Sequence, residues 1–299
     1  MPTYSIKDLE NLSGVQAHTI RIWEQRYSLL NPERTLTNIR KYSDNDLRKL
    51  LSVTLLNNNG LKISKIAKMS DADITSAVLQ LSEGKNSRLE SQIESLKLIM
   101  VDMNEAKFEK LFCHLVVQMG FEEAITKVYV PFFKRLSYLW QTNSLTVAQY
   151  NFVTSLYRQK MYVAIDGLLL PTKTNDKKII LFLPKTEQEE WGLLFCSYMA
   201  KRRGFQTLYL GTSFPVEELV DIIEQNPDTI LLSIVTFVRI DLTEYYTDVL
   251  SLCNKNQRLI ISGSQVDTVK ITDPRLTVYQ DYTEIQDFLN RENNQCNPR

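Results

Sequence analysis

The sequence predicts three domains in a row: an all-α head with a β wing, a four-helix bundle, and an α/β domain on a doubly wound parallel sheet. Three observations lead there. The 299 residues are too many for one ordinary core. Apolar residues recur at helical spacing up to about residue 168, then change to short continuous apolar runs from Ile179 onward. Polar breaks around 70–87 and at Pro171–Lys177 separate the stretches, which sets the domains at 1–75, 86–170 and 177–294.

Composition narrows the function. Hydrophobic residues make up 43% and mean hydropathy is -0.22, as in a soluble globular chain, which excludes a disordered chain, a collagen and a membrane protein. No apolar run reaches the ~18 residues of a membrane span, and the first residues lack the pattern of a signal peptide, so a cytoplasmic location is expected. Cys113, Cys196, Cys253 and Cys296 are scattered, and His18 and His114 are the only histidines. That argues against a disulfide framework and a structural zinc site, and leaves little material for a metal or a histidine-based catalytic site. No catalytic residues are expected, and the chain reads as a non-enzyme.

The head comes first. Ile6, Leu9 and Leu12 recur at helical spacing and Gly14 ends that helix. A second helix runs from about Gln16 to Arg26, with Val15, Ile20 and Trp23 toward the core. Helix, Gly-containing turn, helix is the helix-turn-helix arrangement, whose second helix presents its early residues to the major groove. Those are Gln16, His18, Thr19 and Arg21, all able to hydrogen-bond base edges or phosphates, with Arg26 at the helix end. Asn31-Pro32 stops the helix, and Arg34 to Tyr42 reads as a wing whose Arg34, Arg40, Lys41 and Tyr42 offer donors to phosphate. Ser43-x-x-Asp46 caps a helix over Asp44–Asn57, Gly60 closes it, and a short helix begins at Ile63. Residues 1–69 hold eleven Lys/Arg against six acids, net +5, while the remainder is net −5. A polyanion partner is thus expected for the head alone.

The segment Thr19-Ile20-Arg21-Ile22-Trp23-Glu24-Gln25-Arg26-Tyr27, followed by Pro32-x-Arg34-Thr35, Arg40-x-Tyr42-Ser43 and Asp46-Leu47, resembles the winged helix-turn-helix of the MerR family of transcriptional regulators. Its Trp-Glu-x-Arg-Tyr variant is similar to the light- and cobalamin-responsive CarH/LitR-like branch. The resemblance implies Arg21 and its neighbours on the recognition helix, and Arg40 and Tyr42 clamping DNA backbone from the wing. It also implies promoter DNA as partner, a homodimer or higher oligomer, and RNA polymerase or another protein as a further contact.

Residues 70–87 are polar and read as a hinge. Beyond it four amphipathic stretches, about 88–101, 105–119, 121–140 and 145–168, suggest an antiparallel bundle filled by aromatics such as Phe108, Phe112, Phe132 and Phe133. In the last domain, strands at Ile179–Leu183, Thr207–Leu210, Thr229–Ile234, Leu259–Ser262 and Leu276–Tyr279 alternate with helices at Glu189–Arg203, Val216–Gln225, Leu242–Cys253 and Thr283–Asn293. This predicts a flavodoxin-like or Rossmann-like sheet with a ligand crevice at the strands' carboxyl ends.

A βαβ domain after a helical bundle resembles the cobalamin-binding module of methionine synthases, mutases and CarH-like regulators. The family's Glu/Asp-x-His-x-x-Gly loop aligns with Glu187-Gln188-Glu189-Glu190-Trp191-Gly192, so Glu189, a hard oxygen donor, stands at the cobalt-ligating histidine. In the bundle, Trp140 is kept, but the Glu-His that follows it in CarH-like proteins is replaced by Tyr150 and Asn151. Ser233 and Gly263 match the nucleotide-tail pocket, where Ser264 replaces a second Gly. These departures leave no cofactor expected. The module is read as serving oligomerisation or another effector, with cobalamin held without a lower histidine, in a sensor or carrier, as the alternative.

Overall fold

The computed structural model describes residues 3–35, 38–83, 89–142, 144–168, 175–236, 238 and 240–296. The chain divides into two compact units, Met1–Ser155 and Leu156–Arg299.

The first unit opens with β1 (Thr3–Tyr4), α1 (Ile6–Ser13) and α2 (Ala17–Tyr27). A capping box between Ser5 and Asp8 starts α1, and Gly14 ends it at φ 72, in the left-handed region that glycine adopts without strain. The wing is β2 (Glu33–Arg34) and β3 (Arg40–Ser43), paired antiparallel with Arg34 opposite Arg40; β3 also pairs with β1. A second capping box, Ser43 with Asp46, turns β3 directly into α3 (Asp44–Asn58), which buries Leu47, Leu50, Leu51 and Leu55 and is followed by the short α4 (Ile63–Ile66).

The expected hinge is mostly helix. Residues 71–83 form α5 (Asp71–Glu83), started by Ser70 and Asp73, whose side chains exchange hydrogen bonds with each other's backbone and hydroxyl. This is the third Ser-x-x-Asp start signal in the chain; polar composition masked it. Residues 84–87 of that hinge lie outside the described residues.

The bundle follows as α6 (Leu89–Asp102), α7 (Glu105–Met119), α8 (Phe121–Ala124) running through a π turn at Ile125–Tyr129 into α9 (Val130–Gln141), and α10 (Val147–Asp166). The stretch expected as one helix at 121–140 is therefore broken in geometry. Pro131 has no N–H to continue the ladder, and Val130 instead bonds back five residues to the Ile125 carbonyl. Phe108, Phe132 and Phe133 are fully buried, as their pattern predicts.

Head and bundle are stitched together by polar contacts. Lys97 Nζ donates to the Leu12 carbonyl at 3.2 Å and to Glu94 at 2.9 Å, with both charged side chains almost wholly buried. Gln149 donates to the Tyr4 hydroxyl at 3.1 Å, and Ser144 donates to Asp8 at 3.1 Å.

The second unit holds β4 (Asn175–Pro184), α11 (Trp191–Arg202), β5 (Phe205–Phe214), a 3-10 turn at Val216–Leu219 leading into α12 (Val220–Glu224), β6 (Thr229–Ile234), α13 (Leu242–Leu252), β7 (Arg258–Ser262), β8 (Leu276–Tyr279) and α14 (Tyr282–Cys296). Of the second expected linker, 171–174 lie outside the described residues and 175–177 are already strand. The strands are all parallel in the order β5-β4-β6-β7-β8, the flavodoxin-like order. Ile180 and Phe182 of β4 share one core with Leu231, Leu259, Tyr246 and Val249. Alternation along the strand sends the buried Ile179, Leu181 and Leu183 to the opposite face, where α11 and α14 pack.

Candidate functional site

Two places concentrate the candidate residues. The first is α2. Ile20 and Trp23 anchor it in the head core, so the other side of the helix faces outward. On that side His18, Arg21, Ile22 and Gln25 fall at i, i+3, i+4 and i+7 and are all exposed, a continuous strip. Thr19 and Arg26 flank it, Arg26 with its guanidinium 5.7 Å from the Tyr27 ring centre. Gln16 occupies the N-cap with no side-chain hydrogen bond to the first turn, which leaves backbone N–H groups of α2 pointing at whatever approaches that end. Ile22 and Gln25 escaped the sequence reading, which followed only the first turns; the i+7 spacing from His18 would have found Gln25.

The wing is locked to this helix by Glu24. Arg40 Nε donates to both Glu24 carboxylate oxygens, at 3.1 and 3.0 Å, and the Tyr42 hydroxyl donates to the same carboxylate at 3.2 Å. Tyr42 corrects the sequence reading. It was expected to clamp DNA backbone, yet it is fully buried, because the alternation of β3 turns it inward, and its hydroxyl braces Glu24. Burial foremost, and then the Glu24 charge, push that hydroxyl up to about 12. Arg40 is partly covered, its Nε committed to Glu24. Lys41 and Arg34 are exposed, Arg34 donating to Asn38 at 2.7 Å beside the wing tip. The head thus brings Gln16, His18, Thr19, Arg21, Arg26, Arg34 and Arg40 to its surface or rim.

The second place is the carboxyl edge of the parallel sheet. Strand order switches between β4 and β6, where such folds hold ligands. Here the loops at the switch are tied to each other. Glu187 is fully buried; one carboxylate oxygen accepts the backbone N–H of Gln188 and Glu189 at 3.0 and 2.9 Å, and the other accepts that of Thr236, beyond β6, at 2.7 Å. Its carbonyl accepts the Ser213 N–H near the carboxyl end of β5. Glu190 is engaged three ways, by Arg158 at 3.4 Å, Tyr162 at 3.3 Å and Tyr209 at 3.0 Å. Glu189, the residue at the expected ligand position, is half-buried on the loop.

The floor of the crevice is filled with side chains. A Cβ on Gly192 would lie 2.0 Å from the Tyr282 hydroxyl oxygen, so the phenol rests directly on the glycine. That hydroxyl is buried and has no hydrogen-bond partner among the described residues, and burial drives its pKa up. Trp191 and Phe195 hold the ring, with centroids 5.9 and 5.7 Å away. Ser233 is fully buried against the Tyr246 hydroxyl at 2.9 Å. Gly263 has φ 120, and a Cβ there would meet the Val235 carbonyl oxygen at 2.0 Å, so β7's exit loop lies on β6's. Ser264 then donates to the Thr236 carbonyl. Sequence reasoning missed Tyr282 and Tyr246, because neither sits in a motif; only folding brings them to Gly192 and Ser233. In the first unit, Trp140 lies against Tyr150 with ring centroids 4.8 Å apart, Tyr150 is buried, and Asn151 is exposed.

Comparisons with known proteins bear on the head and on the helical bundle that follows it. Residues 4–73 match the MerR HTH family regulatory protein profile, and residues 92–165 match that of the B12 binding domain. The chain is 26% identical over 239 residues to the HTH-type transcriptional repressor CarH of Myxococcus xanthus, covering 78% of this chain and 79% of that protein. It is 24% identical over 256 residues to the repressor CarA of the same organism, covering 83% and 81%. The HTH-type transcriptional regulator MlrA of Salmonella typhimurium shares 30% identity over 73 residues, 24% of this chain and 30% of that one. Among solved structures, the monomethylamine corrinoid protein of Methanosarcina barkeri superposes with a TM-score of 0.53 at 13% identity, over 67% of this chain and 98% of that one, a likeness of fold.

Proposed function

The chain joins a MerR helix-turn-helix domain to a B12 binding domain, and on that premise we propose that it is a sequence-specific DNA-binding regulator of transcription and not an enzyme. One observation carries the reading: the exposed strip of His18, Arg21, Ile22 and Gln25 on a helix locked to a basic wing, within a head of net charge +5. Bases are read by Arg21, His18 and Gln25; phosphates are held by Arg26, Arg34, Arg40, Lys41 and the uncapped start of α2. One recognition helix covers a half-site, so the chain works as a homodimer or larger oligomer. RNA polymerase or another protein is the further partner.

The B12-type module has lost its cobalt grip and serves in oligomerisation or holds another effector. Its residues do not fit cobalamin. Glu189 stands where the lower histidine is expected, Tyr282 fills the space against Gly192, Tyr246 occupies the Ser233 hydroxyl, and Glu187 bridges the loops across the switch point. Cobalamin bound without a lower histidine, the alternative, would still need the space that Tyr282 takes.

Two measurements test this. Footprinting with the full chain across its own upstream DNA at moderate ionic strength should reveal a protected site, with affinity falling steeply in salt. No protected site would sink the regulator reading. Incubation with hydroxocobalamin and desalting should return colourless protein; a retained coloured complex would sink the reading of the module.

A further inference from the structure

Within the first unit, where head meets bundle, lies a cavity of about 210 Å³. Its walls are apolar where Leu98 and Ile99 of α6 and Leu111 of α7 line it. Its rim is charged. Arg48 Nε of α3 and Lys107 Nζ of α7 approach the single carboxylate of Asp102, at 3.5 and 2.9 Å, so two cations share one anion. His114 belongs to the same wall, and its buried Nε2 has no hydrogen-bond partner among the described residues.

An engineered apolar cavity of about 150 Å³ takes up benzene, so this one has room for roughly eight to ten non-hydrogen atoms. The rim selects among them. A cation would meet Arg48 and Lys107, and a metal ion would find one carboxylate already shared. A purely apolar guest would leave the excess positive charge unanswered. We propose that the cavity binds a small amphipathic anion, an aromatic or short aliphatic carboxylate. Its apolar part lies on Leu98, Ile99 and Leu111, and its carboxylate is taken by Arg48 and Lys107.

The cavity is built from both sides of a joint: α3 and α5 belong to the head, α6 and α7 to the bundle. Since β3 of the wing runs straight into α3 at Ser43, a guest at Arg48 bears on the helix that carries the wing. Occupancy therefore changes DNA affinity, a second half of the proposal that rests on the regulator reading above.

Calorimetry on the full chain tests the site, with octanoate and benzoate set against octan-1-ol and benzyl alcohol. Saturable binding is expected, with the carboxylates held about tenfold more tightly than the alcohols. Lys107→Met should erase that preference without moving the unliganded melting curve, and Leu111→Phe should weaken acid and alcohol alike by filling the space. No saturable binding, equal affinity for acid and alcohol, or a Lys107→Met protein that keeps its preference would each overturn the site. Promoter affinity unmoved by saturating octanoate would overturn the coupling alone. A chain that binds octanoate as expected yet protects no DNA overturns the regulator reading while leaving the site standing.

Discussion

Replacing Gly192 by Ala would set a methyl carbon 2.0 Å from the Tyr282 hydroxyl oxygen and 3.1 Å from both its Cζ and Ile234 Cγ2. Gly192 sits in the first turn of α11, where Ala is otherwise favoured over Gly by up to about 1 kcal/mol. The collision opposes that gain. Tyr282 cannot swing away freely between Trp191 and Phe195, and overpacking of this kind costs about 1–3 kcal/mol. The net expectation for Gly192→Ala is a loss of about 1–2 kcal/mol. Tyr282→Phe should do the reverse, because it deletes a buried hydroxyl without a partner, a group whose burial costs about 1–3 kcal/mol, at the expense of a small void. With the oxygen gone, the alanine meets only the ring carbon and Ile234 at 3.1 Å, so the double variant should recover most of the loss. The cycle should therefore show a coupling of about 1–2 kcal/mol. Urea unfolding measures it in a Trp23→Phe, Trp140→Phe background, where the fluorescence of Trp191, the remaining tryptophan, follows the second unit. A harmless Gly192→Ala, or additive single effects, would refute the claim that Tyr282 fills the crevice floor.

Glu24→Gln should destabilise the head by about 1–3 kcal/mol and lower affinity for every DNA sequence, since it strips the carboxylate from Arg40 and from the buried Tyr42; thermal unfolding and gel shifts read the two effects. Arg40→Ala should weaken binding evenly and reduce the log–log salt slope by about 0.9, whereas Arg21→Ala should also blur sequence preference, and unchanged preference there would remove Arg21 from the base-reading set. Tyr4 and Tyr42 are both held up to about 12 from a usual 10, chiefly by burial. Their folded-state values lie above the unfolded one, so the stability they contribute is whole below pH 10 and drains away as pH climbs toward 12; urea midpoints across that range should fall, and less steeply in Tyr42→Phe. Glu189→His alone should not confer cobalamin retention, judged by the spectrum after desalting, because Tyr282 and the Glu187 bridge remain.

Much of the architecture was legible because it is written locally. The Ser43–Asp46 cap, the glycine at position 14 and the continuous apolar runs of the strands each act within one or two turns of chain, and they mark where elements begin and end. The same Ser-x-x-Asp signal stands at Ser70, but the polar composition of 70–87 outweighs it and reads as a hinge where the chain is helix. The π turn before Pro131 also has a local cause, the missing N–H of the proline, but the apolar spacing of 121–140 does not register it.

What the chain determined by itself, then, is which segments are helix or strand, the basic character of its head, and the residue types at each motif position. Folding decided the pairings: Tyr42 turned inward onto Glu24, Tyr282 laid on Gly192, Glu187 drawn across to Thr236, and a cavity left between α3 and α7. These join residues 18, 90, 49 and about 60 positions apart. Side-chain patterns report on neighbours one or two turns away, whereas contacts at such separations exist only once the intervening chain has closed into its core.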